Sequence, residues 1–361
     1  MTKATRIRFV VAAALLLVMV ACVALFAACG PALFPGYRWA SRTLMGALAI
    51  LTGWVPFSLC DFLLVALVLA AAAGLVVALV RGHSLLAWLS HVMVTAAALA
   101  TLVVCGWALN HYAPPLSEEM GLELEEYSAQ QLYDATEYYW QRAADAALQV
   151  ERNPEDMTLV RQPFQQQAEK AGAAYAPLAS RYDVFAGGCI VRVKELSLLG
   201  DALLHIGSDG IFVPLTGEAN VPANCAVATQ EFNMCHEAAH RLGLAAEEEA
   251  NFAAFVACTA SDDPNFQYSG YYRAFIACYS ALVANYPEAV NTLFASENAT
   301  QGKVLVVCDM LDMDAHYAAY EGSANDAGQA VNDAYLKAFG ENAGVQSYGL
   351  WVDYLIAWHV S

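Results

Sequence analysis

The chain has 361 residues, enough for a membrane anchor and one further domain, and a formal net charge of −18. Up to Asn110 the only acidic residue is Asp61, and Lys3, Arg6, Arg8, Arg38, Arg42 and Arg81 are the only basic ones; the rest of the 35 acidic residues follow. So acidic a second part excludes nucleic acid as a partner, because phosphate contacts need clustered Lys and Arg. The shift in composition divides the chain into a membrane anchor over residues 1–110 and an outer domain over 111–361.

The first element in chain order is an uninterrupted apolar stretch at 9–29, behind Lys3, Arg6 and Arg8, with the roughly 20 residues that a bilayer-spanning helix requires. A cleaved signal peptide competes, since Cys29 after Ala27-Ala28 is similar to a lipoprotein cleavage site, but the apolar core is longer than a signal needs. The stretch 37–55 is apolar with Arg38, Arg42 and Pro56 at its margins, and reads as an interfacial or re-entrant helix. Two further apolar runs, 59–80 and 85–109, are separated only by Arg81-Gly82-His83-Ser84, which predicts a helical hairpin. Three spans result. With Lys3, Arg6, Arg8 and Arg81 inside, the positive-inside rule makes this a multi-pass cell-membrane protein whose acidic domain is extracytoplasmic.

Beyond Pro114-Pro115, Leu122, Tyr127, Leu132, Tyr138 and Tyr139 recur among Glu and Gln at amphipathic-helix spacing, punctuated by Asn153-Pro154 and Gln162-Pro163. Between 182 and 222 β-branched and aromatic residues and recurring glycines predict short strands and a small sheet. From Thr229 helices return, ending in a packing helix over 348–360 that is too short to span a bilayer and contains Asp353. The expected fold is mainly α: transmembrane helices followed by a helix-rich α+β domain. The ten cysteines form no CxxC pair, which argues against a thiolate zinc site. Cys189, Cys225, Cys235, Cys258, Cys278 and Cys308 lie in the acidic part, where an oxidising exterior permits disulfides, although Cys258 and Cys278 read equally as small buried hydrophobes.

The chemistry concentrates in Cys235-His236-Glu237-Ala238-Ala239-His240, an H-E-x-x-H motif on a predicted helix that Thr229 can cap and Gly243 can end. Residues four apart share a helix face, so His236 and His240 can present two imidazoles to one Zn²⁺, with Glu237 at the flank as a general base. The bland alternative is two His and a Glu decorating a surface turn, but this Ala-rich helix lacks the Lys and Arg of a solvated one. An open catalytic site needs a third protein ligand. Ala246 stands where a metzincin has its third His, which leaves a Glu on the next helix, the gluzincin arrangement. Glu249 is the choice, since it lies on the face that Phe252 and Val256 define, with Glu247 the runner-up. Helix-start electrostatics alone explains at least two of Glu247, Glu248 and Glu249. Tyr268 and Tyr271, with Tyr272, are candidates for stabilising an oxyanion, though for any single Tyr ordinary packing is the better reading. His205, His316 and His359 have no partners at ligand spacing and stay outside the site.

These residues sit in a wider pattern: Trp54-Val55-Pro56-Phe57-Ser58-Leu59, Gly106-Trp107-Ala108-Leu109-Asn110, the run from Gly210 to Asn220, Glu247-Glu248-Glu249-Ala250-Asn251-Phe252, Tyr268-Ser269-Gly270-Tyr271, Tyr335-Leu336-Lys337 and Ser347-Tyr348-Gly349. The pattern resembles the bacterial membrane proteins grouped as domain of unknown function 3810, and the resemblance implies a zincin-like fold without naming a substrate. The Glu-Ala-Asn element is also similar to the third-ligand region of the ImmA/IrrE-like peptidases, which favours Glu249 by analogy. His111-Tyr112-Ala113 departs from the pattern, where a Tyr followed by Arg is expected. The expected function is a membrane-anchored zinc metallohydrolase, a peptidase acting on protein or peptide substrates at the cell envelope. The rival is a non-catalytic metal-binding sensor or interaction protein. A transporter is disfavoured, because the spans lack paired intramembrane charges.

Overall fold

Apolar runs without breakers dictate the first third of the chain. In the computed structural model, which describes residues 1–295, 298–338 and 351–360, helices α1 (Lys3–Gly53), α2 (Leu59–Val80) and α3 (Leu85–Gly106) are each long and apolar enough to cross a membrane. The expected first span and the expected interfacial helix are the two limbs of α1, which meet at a kink at Cys29, whose φ of −131° and ψ of 17° are non-helical, just before Pro31 and Pro35. The bend is sharp: the rings of Phe26 and Tyr37 lie 5.0 Å apart, whereas a straight helix separates such positions by roughly 16 Å.

The limb beyond the bend has its charges on the inside. Arg38 donates to both carboxylate oxygens of Glu119, and Arg42 donates to the carbonyl oxygens of Leu242, Ala186 and Val184 at 2.7–2.8 Å. Its outward side shows Leu33, Leu44, Ile50 and Leu51, with Trp39 72% and Trp54 80% exposed. Guanidiniums inside and aromatic and aliphatic groups outside suit contact with lipid rather than water.

Polar groups lock the tops of the spans to the acidic part. Glu218 accepts from the backbone N–H groups of Leu59 (3.0 Å) and Cys60 (2.9 Å), satisfying the free donors that begin α2. In return Asp61, buried in the first turn of α2, accepts from the N–H groups of Ser197, Leu198 and Leu199 at 2.7–3.0 Å. Arg8 reaches Ser90 and Thr101 reaches the Leu15 carbonyl, so α1 and α3 run side by side, with the basic N-terminus and the Arg81 turn at the end away from the acidic part.

The small sheet lies where composition placed it. Strands β1 (Lys194–Leu196), β2 (Ile211–Val213) and β3 (Glu218–Pro222) have the order β1-β3-β2. β1 runs parallel to β3 with Lys194 opposite Asn220, and β2 runs antiparallel with Ile211 opposite Asn220. The β2–β3 turn needs glycine: Gly217 has a φ of +68°, and a Cβ there would meet the Met45 carbonyl oxygen at 2.6 Å.

The remaining helices are α4 (Leu116–Met120), α5 (Ala129–Ala147), α6 (Phe164–Ala173), α7 (Gly200–His205), α8 (Gln230–Arg241), α9 (Glu247–Thr259), α10 (Pro264–Asn285), α11 (Pro287–Leu293), α12 (Gln301–Ala318), α13 (Ser323–Ala338) and α14 (Trp351–Val360). Ser128 and Gln131 form a capping box at the start of α5, which packs against α10 and α12. The predicted terminal packing helix is α14, which buries Trp351, Val352 and Leu355; its expected first residues and the 347–349 motif lie outside the described residues. One hydrophobic core joins Leu132, Tyr139, Phe252 and Phe255 of the acidic part with Met45 and Trp107 of the membrane part, so packing continues across residue 110. All ten cysteines are free thiols, Cys258 and Cys278 being fully buried.

Candidate metal centre

Helix α8 is built to hold its side chains still, since all its residues but His236 are buried. Thr229 does not cap it with its side chain as expected; its hydroxyl bonds back to the Ala226 carbonyl. The hydroxyl of Ser269 on α10 instead accepts the N–H of Phe232 (3.0 Å), a tertiary substitute for a local cap. The end is as predicted. Gly243 takes a φ of +86°, and a Cβ there would lie 3.1 Å from Oδ1 of Asn110.

His236 and His240 meet one turn apart, with their Nε2 atoms 3.0 Å from each other. A carboxylate oxygen of Glu247 lies 3.2 Å from Nε2 of His236 and 3.7 Å from Nε2 of His240. Ligand atoms of the three residues all fall within 4.8 Å, and among the described residues no other group of three or more His, Cys, Asp or Glu converges in this way. Tetrahedral zinc with bonds near 2.0–2.1 Å separates its ligand atoms by about 3.3 Å, so the spacing fits such an ion. The tautomer fits too. Nδ1 of His240 lies 2.6 Å from the Leu244 carbonyl oxygen; donating there, a neutral ring turns its Nε2 lone pair toward the cluster. Oε2 of Glu237 is buried without a hydrogen-bond partner, a polar atom of the kind that a bound cation's water would satisfy.

The carboxylate at the imidazoles is therefore that of Glu247, not Glu249. Glu249 sits two residues further along α9, and side chains two apart on a helix do not face the same way. Its Oε1 accepts the buried N–H of Leu116 at 2.7 Å. The face that Phe252 and Val256 share is the core face of α9, whereas the cluster lies at the helix start, where the turn 242–246 brings Glu247 back over α8.

The electrostatics follow from burial and crowding. Burial lowers His236. Burial also opposes charge on His240, but the adjacent Glu247 outweighs it and raises His240 to about 9. Burial pushes Glu247 up, and the two imidazoles overcome this to hold it well below the usual carboxylate range. Glu237 rises to about 8, through burial and, against the pull of His240, the negative neighbours Glu247 and Asp209. Its carboxylate rests on bare backbone: a Cβ at Gly210 would lie 2.4 Å from Oε1 of Glu237.

Tyr268 and Tyr271 have other partners. The Tyr268 hydroxyl donates to Asp309, which pairs with Arg152 at 2.7 Å, and the Tyr271 hydroxyl accepts from Arg142 at 2.9 Å. His205, His316 and His359 lie outside the cluster, against Tyr320, Tyr317 and Tyr138. Sequence reasoning missed Asp209, Tyr317 and Arg273. Asp209 precedes the glycine that covers Glu237 and accepts the Tyr317 hydroxyl at 2.7 Å, while the Arg273 guanidinium lies 5.3 Å from the centre of the Phe232 ring, one turn before His236. No local spacing connects these positions to 236–247, so only the fold could assemble them.

No curated protein and no solved structure matches the chain. The family described as Protein of unknown function (DUF3810) matches residues 38–356, from the second limb of α1 to α14, including both helices that carry the cluster. Covering most of the sequence, that match makes this chain a member of the DUF3810 family.

Proposed function

We propose that the protein is a membrane-anchored zinc-dependent hydrolase of peptide bonds, with a zincin-like site of the gluzincin type. The observation that carries this reading is the convergence of His236, His240 and Glu247 within 4.8 Å, with the unpartnered carboxylate of Glu237 next to His236 in the chain. Zn²⁺ held by the three residues would polarise a peptide carbonyl and acidify a water molecule. Glu237 then takes the proton of the attacking water and passes it to the departing amine. A carboxyl group tuned upward by its surroundings suits both halves of that transfer. Beside it, β2 pairs through only one edge among the described residues, and its other edge offers main-chain groups to an extended peptide. The rival sensor reading requires a closed site with a fourth protein ligand, and the cluster among the described residues has three.

Basic residues at the far end of the spans support an extracytoplasmic domain that acts on proteins or peptides of the cell envelope. The test uses the full-length protein in detergent. It should bind one zinc, lost in His236→Ala, while Glu237→Gln should keep the metal and lose peptide hydrolysis. Cells carrying wild type and Glu237→Gln should also differ in their cleaved envelope proteins. Equal hydrolysis by wild type and Glu237→Gln would defeat the reading.

A further inference from the structure

Nearly every arginine of the acidic part has a hydrogen-bond or carboxylate partner. Arg152 pairs with Asp309, Arg161 donates to Gln230 and the Cys225 carbonyl, and Arg241 donates to the Val191 carbonyl. Arg273 differs. Among the described residues its guanidinium makes no ion pair and no hydrogen bond, its Nε is buried without a partner, and its one specific contact is the ring of Phe232. A chain with 35 acidic residues against 17 basic ones has no shortage of carboxylates to offer it. Leaving a buried donor unsatisfied costs about 1–3 kcal/mol, and such donors in native proteins call for an explanation.

The place supplies one. Phe232 and His236 are four residues apart on α8 and share a face, so the guanidinium sits one turn along the helix from the metal cluster. Its positive charge reaches His236, Asp209 and Tyr317. Asp209, which has the charge to neutralise Arg273, is bonded to Tyr317 instead. The arrangement is a cation held open beside the reacting groups. A guanidinium offers a planar fork of donors that matches a carboxylate, which a lysine would not.

We infer that Arg273 binds a carboxylate of the substrate beside the metal cluster, so that the peptide taken by this site carries negative charge next to its scissile bond. This rests on the metallohydrolase reading above. The carboxylate is either the C-terminus of the peptide or an Asp or Glu side chain.

The test loads full-length protein in detergent with Co²⁺, a spectroscopic substitute for zinc, and follows its visible absorption during titration. The probes are succinate and succinamate, which have the same length but differ by one carboxylate. Wild type should bind succinate about tenfold more tightly or better, as a charge-assisted pair implies. Arg273→Gln should bind the two alike while retaining one Co²⁺ per chain, and Arg273→Lys should keep part of the preference. Titration with Ala-Ala-Ala, its C-terminal amide and acetyl-Ala-Asp-Ala-amide then shows which carboxylate is bound. An unchanged preference in Arg273→Gln overturns the assignment, as does loss of Co²⁺ from Arg273→Gln, which would make the residue structural. Failure of wild type to take up Co²⁺ overturns the metal centre itself, an outcome distinct from either.

Discussion

The indole Nε1 of Trp107, at the end of the third span, donates a hydrogen bond of 2.8 Å to the main-chain carbonyl of His240. The same indole lies edge-on to the His240 imidazole, ring centres 5.9 Å apart, and Arg42 of α1 holds the next turn through the Leu242 carbonyl. The apolar helices that could cross a membrane thus also support the backbone of the candidate metal centre. Trp107→Phe keeps an aromatic ring but loses the donor and part of the buried volume, at a cost of at least about 1 kcal/mol in stability. Metal affinity should fall by about 10-fold, the lower end for an outer-shell partner, as measured by competition with a chelator. Unchanged affinity would reduce Trp107 to ordinary packing.

Glu247, the runner-up in the sequence, lies at the imidazoles, while Glu249 accepts the N–H of Leu116. Glu247→Gln should weaken metal binding by about 100-fold or more, beyond the effect of a typical outer-shell substitution. Glu249→Ala should keep the metal and lower stability by about 1–3 kcal/mol, because the N–H of Leu116 is left buried and unpaired. Metal content and thermal unfolding of the two variants decide the matter. The opposite pattern would return the ligand to Glu249.

Gly210 is required by what lies opposite it. In Gly210→Ala the new Cβ would meet Oε1, Cγ and Cδ of Glu237 at 2.4, 2.7 and 2.8 Å. The carboxylate has to move, and a displacement of about 1 Å at a reacting group costs on the order of 100-fold in rate. The variant should therefore keep its metal and lose most of its hydrolysis. Full activity in Gly210→Ala would show that the position of Glu237 is not critical.

The metal-free protein should lose stability as the pH rises from about 6.5 to 9. Glu237, raised to about 8, stays protonated when folded where the unfolded carboxyl has lost its proton. His240, raised to about 9 against its burial by Glu247, likewise holds a proton that the unfolded chain releases. In this window the folded state binds more protons than the unfolded one, so raising the pH favours unfolding. Glu247, held low, contributes stability above its ordinary range that is lost only at acid pH, outside the window. Metal competes with protons at the same atoms and binds better as the pH rises. The difference in Tm between zinc-loaded and chelated protein should widen from pH 6.5 to 9; a constant difference would separate these groups from the metal.

Much was legible in the sequence because it is local. Apolar runs of bilayer length, the four-residue spacing of His236 and His240, the stop at Gly243 and the glycine-punctuated region of the small sheet each need only neighbouring residues to be read. The resumption of helix directly after the kink at Cys29 was less so, since Pro31 and Pro35 signal a break in direction without saying whether helix resumes. Other features depend on groups far apart in the chain. The choice of Glu247 over Glu249 rests on how the turn 242–246 rotates α9 against α8, which periodicity within α9 cannot report. Gly210 against Glu237, Ser269 in place of a Thr229 cap, and Arg273 over Phe232 bring together residues from separate elements. The sequence alone determined which helices form and where two imidazoles stand. Tertiary packing decided which carboxylate meets them and which cation is left open beside them, because long-range contacts, not local propensity, set the relative rotation of packed helices.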